Sequence, residues 1–175
     1  MKIGVHASEP IEDIIKRKQD EYAATGMSFW GYGGSACNPI KQVQPFAKEY
    51  AEKGQQVFML MHKMESKHFT ETLAKEYSDD GLDWKPIPED ITVKGSRNAM
   101  VIGGLSEEEF DLNLRNLIVG VGPSRGKVGS DYIKGQNDKG VFVYDEQTIE
   151  SPNNKDTKHI DLIAPLMPPY AVFMR

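Results

Sequence analysis

The sequence predicts an α+β fold. One domain is expected, built on a central, largely antiparallel sheet of about six strands with two main helices and a long irregular insertion at about 65–97. Three observations predict it. Two stretches, near 11–25 and 44–53, repeat apolar residues with a helical period. Short apolar or alternating runs bounded by Gly, Pro, Asn and Asp recur elsewhere, as strands do. The stretch from Glu65 to Arg97 holds neither period and is rich in turn residues.

In chain order, "KIGVH" (2–6) reads as a short strand. Ser8 is a good N-cap, and Pro10 is tolerated in a first helical turn. Ile11, Ile14, Ile15 and Tyr22 then share one helical face, with charged residues opposite, and Gly26 stops the helix. "MSFW" (27–30) is a strand running into a glycine tract. Asn38-Pro39 opens a second helical stretch, whose stable part is expected from Gln44 with Pro45 in its first turn. Phe46, Ala47, Tyr50 and Ala51 form its buried face, and Gly54 stops it. "QVFMLMHKM" (56–64) is continuous and apolar, as a central strand should be.

"NAMVIGGL" (98–105) returns to strand character after the insertion. "SEEEF" predicts a short helix capped by Ser106 and Glu109. Phe110, Leu112 and Leu114 alternate with polar residues, and "LIVGVG" continues apolar, both as a strand would. "GPSRGKVGSDYIKGQNDKG" (122–140) is a basic, glycine-rich loop. "GVFVYDE" (140–146) is a strand, "SPNNKDTKH" (151–159) a polar connector, and "PPYAVFMR" (168–175) a last strand with its prolines at the start.

Composition narrows the function classes. The 175 residues are 39% apolar and 27% charged, which suits a folded domain with a real core. No apolar run reaches the roughly 18 residues of a membrane span, and no hydrophobic leader opens the chain. A single cysteine makes no internal disulfide, so a reducing cytoplasm is the expected location. The net charge of −5 argues against an extended nucleic-acid face.

Two glycine-rich stretches point to a ligand. In "SFWGYGGSACNP" (28–39) the glycines let backbone N–H groups approach a ligand, and Trp30 and Tyr32 offer rings for stacking on a base. Gly33, Gly34 and Ser35 would donate hydrogen bonds, and the helix opened by Asn38 would point its N-terminus at a phosphate. The alternative is a strand end turning sharply with its aromatics in the core. In "GVGPSRGKVGS" (120–130), Gly122 and Gly126 are three residues apart and Val128 stands where a P-loop needs a hydroxyl, so this is no P-loop. Ser124, Arg125 and Lys127 would still bind an anion. The alternative is a solvated hairpin loop.

Other candidates are thinner. His62, Glu65 and His68 do not share one helical face, so no metal site is expected. Cys37 precedes a helix start that would lower its pKa, but no partner base is identifiable. His159 falls in the polar connector and is expected to be solvated.

The order "VHAS", "IEDII", glycine-aromatic tract, "FAKEYA", "QQVFMLM", "GVFVYDEQTI" and "PPYAVFMR" resembles the layout of the ADP-ribosyltransferase superfamily. The resemblance implies that His6 contacts an NAD ribose, that Ser8 sits beside it, and that a central aromatic stacks on nicotinamide. NAD is then the implied cofactor. The family's late acidic residue falls at Gly140 in "DKGVFVYD", with Asp138 two residues early, so the expected catalytic glutamate is missing.

The functional expectation is recognition of a nucleotide or nucleotide-derived ligand, of the NAD, ADP-ribose or cyclic-nucleotide type, bound or sequestered rather than turned over. A small accessory protein of a phage or mobile element fits that role. The alternatives are ADP-ribosyl transfer or NAD cleavage, and a protein-interaction module using the 77–97 loop.

Overall fold

The computed structural model describes residues 1–6, 8–32, 38–68, 72–133, 139–145 and 156–175. Among these residues, ten strands and three α-helices follow one another as β1 (Lys2–His6), α1 (Ile11–Thr25), β2 (Ser28–Tyr32), α2 (Gln44–Glu52), β3 (Phe58–His68), β4 (Glu76–Ser78), β5 (Lys85–Pro86), β6 (Asn98–Ile102), β7 (Ser106–Asn113), β8 (Leu117–Val119), α3 (Gly129–Tyr132), β9 (Phe142–Tyr144) and β10 (Thr157–Met174). The class is α+β, as expected, with more strands than the sequence suggested.

The long strand β10 organises the main sheet. On one side it pairs with β7 and then β6, antiparallel, from Thr157↔Asn113 to Phe173↔Asn98. On the other side its first half pairs with β3 and its end with β4, also antiparallel. β2 adds to β6 and β5 to β4, again antiparallel, whereas β1 lies parallel to β3. A separate two-stranded ribbon joins β8 to β9. Where β10 passes from β3 to β4, two glutamine side chains serve its carbonyls. Gln56 Nε2 donates to Leu166 O at 2.7 Å and Gln44 Nε2 to Ala171 O at 3.2 Å. Buried carbonyls left without a strand partner need such donors.

Helices α1 and α2 cover one face of this sheet. Ile14 and Ile15 of α1 and Ala47 of α2 pack with Trp30, Tyr32, Met61, Met100, Leu162 and Ala164 in the main core. A second core fills the opposite face of the β2–β6–β10 end. There Phe29, Val101, Val172 and Met174 meet Ile91 and Val93 from the stretch before β6. The 65–97 stretch is therefore short of regular structure but built into the fold.

Several local expectations are corrected. Ser8 does not cap α1: it is exposed at φ 61, and Pro10 is the N-cap residue, with no side-chain capping bond. Gly26 stops the helix as expected, at φ 77. Tyr22 is 40% exposed, while Lys18 and Glu21 take its expected place inside. A π-helical turn, Pro39–Val43, precedes α2, and Asn38 caps it by accepting the Lys41 N–H at 2.9 Å. Ala51 is exposed rather than buried. The acidic "SEEEF" forms strand, not helix, because Phe110 and Leu112 pair in register with Ile160 and Lys158. The double proline lies within β10 rather than at its start, and His159 belongs to that strand. The Pro168–Pro169 peptide is cis.

Candidate functional site

The aromatic pair of the first glycine tract turns inward. Trp30 and Tyr32 are 6% and 3% exposed in the main core, because strand alternation puts them on the face that α1 and α2 cover. Both rings therefore belong to the main core rather than to the described surface. The Lys139 ammonium lies 4.5 Å from the Tyr32 ring centroid. Gly33, Gly34, Ser35 and Cys37, the side chains of His6 and His68, and Asp138 lie outside the described residues.

The second glycine loop is a tight turn between β8 and α3. Its amides bond within the turn: Arg125 N to Gly122 O at 3.1 Å, Gly126 N to Val119 O at 2.8 Å and Lys127 N to Ser124 O at 3.1 Å. These three donors are spent on holding the turn. Gly122 and Gly126 sit at φ 72 and φ 89, the left-handed conformation that the turn requires. The turn rests on α2 and the π-helical turn before it. A Cβ on Gly120 would meet the Phe46 ring at 2.7 Å, and one on Gly122 would meet Gln42 Nε2 at 3.2 Å.

Beside this turn lies an open groove of about 450 Å³, within the size range of small-molecule sites. The β8–β9 ribbon forms its floor through Ile118, Val119 and Val143. Tyr50 of α2 and Tyr144 of β9 bring aromatic rings to it, and Arg125 and Asp145 bring opposite charges. Tyr144 is 58% exposed. The Tyr50 ring is braced by Phe46, with centroids 4.4 Å apart, and carries the Lys53 ammonium 4.8 Å from its centroid. The Arg125 side chain donates no hydrogen bond among the described residues, and its field reaches the neighbouring α2 charges. Glu49 is held below the usual carboxylate range, first by the bond from Lys53 and, to a lesser degree, by the Arg125 charge.

Arg125 is thus the expected ligand residue that the structure places in a groove. Ser124 and Lys127 belong to the same turn but do not line it, and Asn38 is occupied as a cap. Sequence reading missed Tyr50 and Tyr144. The first was read as a core residue of an amphipathic helix, the second as part of an ordinary strand. At Gly140, where the resemblance places a catalytic glutamate, a Cβ would stand 2.3 Å from the Phe142 ring, so that ring would have to turn aside to admit a side chain. Among the described residues, the buried amide oxygens Gln42 Oε1 and Asn98 Oδ1 accept no hydrogen bond. No group of His, Cys, Asp and Glu among the described residues is placed to hold a metal ion.

No protein family, curated protein or solved structure matches this chain. No helix among the described residues is long and apolar enough to cross a membrane.

The 77–97 segment carries one conspicuous surface feature, Leu82 at 82% exposed. Much of the remainder serves the fold. Ile91 and Val93 are core residues, and Trp84 packs its ring under the Arg175 guanidinium at 4.0 Å.

Proposed function

We propose that the chain binds a nucleotide-type ligand, a planar ring carrying an anionic group, in the groove between Tyr50, Tyr144 and the 122–126 turn. The observation that supports this reading is Arg125, whose side chain donates no hydrogen bond among the described residues, lining one groove with Tyr50 and Tyr144. Tyrosine faces stack on bases with little sequence demand. A guanidinium takes a phosphate by two charge-assisted bonds. The ligand is held rather than turned over, with NAD, ADP-ribose or a cyclic nucleotide as the chemical type.

The test is isothermal titration of wild type, Arg125→Ala and Tyr144→Ala with NAD, ADP-ribose, AMP, ATP and cyclic dinucleotides. A ligand should bind wild type and weaken at least tenfold in both variants. At about 100 times its Kd it should stabilise the fold by roughly 2.7 kcal/mol. Binding by none of the panel, or binding indifferent to both substitutions, overturns the reading. Release of nicotinamide from NAD would replace binding by NAD cleavage.

A further inference from the structure

Helices α1 and α2 and the main core lie on one face of the sheet, and the second core covers the β2–β6 end of the other. Among the described residues, nothing covers the β3–β10–β7 end of that outer face. Strand alternation lines it up as Phe58 beside Pro165, Leu60 beside Ile163, and His62 beside Asp161, followed by Met64 and by His159 opposite Asp111. Phe58 is 49% and Met64 42% exposed on β3. Exposed apolar side chains gathered along one strand are uncommon on a surface that faces water alone.

One flank of this strip is acidic. Edge strand β7 carries Glu107, Glu108, Glu109 and Asp111, all exposed. In the strip itself Asp161 accepts from the Lys63 N–H at 2.7 Å and holds His62 Nδ1 at 3.1 Å. Glu107 stands opposite the core residue Leu162 and turns to the helix side, where Lys63 meets it at 3.3 Å; the outward charge of the edge comes from Glu109 and Asp111 around His159.

We propose that this face docks a basic amphipathic segment of a partner protein, whose apolar side covers Phe58, Leu60 and Met64 and whose Lys or Arg side chains run along β7. Charge selects this occupant. A second copy seated face to face would set two acidic edges against each other, and a nucleic acid or an anionic membrane carries the same sign as the edge. The proposal is independent of the groove, which lies on the β8–β9 ribbon.

The experiment uses the full chain and three labelled 14-residue peptides, alternating Leu/Lys, Leu/Glu and Ser/Lys, read by fluorescence anisotropy. The Leu/Lys peptide should bind, weakening as salt is raised. Phe58→Ser and the double variant Glu108→Gln, Glu109→Gln should each weaken it at least tenfold. Met64→Ser replaces Phe58→Ser if that variant fails to fold. Hydrogen exchange should slow over 58–65 and 106–113 on binding. The proposal is overturned by equal binding of Leu/Lys and Ser/Lys, which marks ionic adsorption alone. Binding of Leu/Glu as tight as Leu/Lys, indifference to the face variants, or a dimer that Phe58→Ser dissolves would overturn it as well.

Discussion

The Glu21 carboxylate in helix α1 accepts the backbone N–H of Thr92 at 3.0 Å, across 71 positions of sequence. Its two oxygens also take Lys18 Nζ at 2.7 Å, Arg17 Nη1 at 3.1 Å and the Ser28 hydroxyl. Lys18 and Arg17 return to the same residue, donating to Thr92 O at 2.8 and 2.9 Å. Arg17 reaches outward as well, with two bonds to Glu9 at 2.9 Å. The cluster ties the 87–97 stretch to α1 and β2, so Ile91 and Val93 are held over the second core. Glu21→Ala should cost about 3–5 kcal/mol, because it strands a buried ammonium and the Thr92 N–H together. Urea unfolding followed by far-ultraviolet dichroism measures it. A loss below about 1 kcal/mol would mean that the cluster contributes no more than a surface pair.

Lys18 gives this cluster a pH signature. Desolvation by burial pulls its pKa down to about 8, against the opposing pull of Glu21. The unfolded chain binds the lysine proton up to about pH 10.4. Between these values the unfolded state holds more protons, so this group makes stability rise with pH. Its contribution is fully present above the unfolded pKa and is lost as pH falls through about 8. Unfolding free energies of wild type and Lys18→Met, compared from pH 7 to 10.5, should converge or diverge by this alkaline increment. Parallel curves would show that Lys18 titrates normally.

The hydrophobic period of α1 was legible, and the structure buries Ile14 and Ile15 as that period requires. The ionic cluster was not. A lysine and a glutamate three apart on a helix read as a solvated pair. Their burial depends on Ser28 and Thr92, which no local window contains. The acidic run 106–109 misled for a related reason. Ser-x-x-Glu is a capping pattern, but the register of Phe110 and Leu112 with β10 overrides it. At the groove, Arg125 was found because glycines surround it in the sequence. Tyr50 and Tyr144 were not, because only the packing of the β8–β9 ribbon against α2 brings them together.

Trp30 separates packing from recognition. Trp30→Ala should lower stability by about 3–5 kcal/mol, the cost of truncating a buried aromatic. Trp30→Phe should lose less and leave groove binding within about twofold of wild type, since an indole sealed in the core touches no ligand. Titration of the folded Trp30→Phe variant checks this. A tenfold loss of affinity in a variant that melts normally would return the recognition site to the first glycine tract.

Two glycines next to the groove make opposite predictions. A Cβ on Gly129 would stand 2.6 Å from Leu114 O and 2.8 Å from Leu117 Cβ, so backbone must move to admit it. Gly129→Ala should cost about 1–3 kcal/mol, as overpacking does. Gly126 has open space around it, and only its φ of 89 resists a side chain. Gly126→Ala should cost about 1 kcal/mol through backbone strain alone. Gly126→Asn should recover much of that loss, because Asn tolerates the left-handed region. Thermal melts of the three variants give the order, and an equal loss in Gly126→Ala and Gly126→Asn would show that the turn is not held in this conformation.

His159 reports on the open face of the sheet. Its Nδ1 lies 3.0 Å from Asp111 Oδ1, and that bond is the main cause raising its pKa, with Asp161 and Glu109 adding to it. A raised folded pKa means that the protonated ring favours the folded state. This contribution is fully present below the unfolded value, near 6.5, and fades as pH rises through the folded one. The ring is exposed, so the effect on stability is small and the titration itself is the better readout. Proton NMR of the His159 ring should show a pKa above 6.5 in wild type that moves down in Asp111→Asn. An unchanged His159 titration in Asp111→Asn would break the proposed link between β7 and β10 on this face, and with it the picture of an ordered acidic edge available to a basic partner.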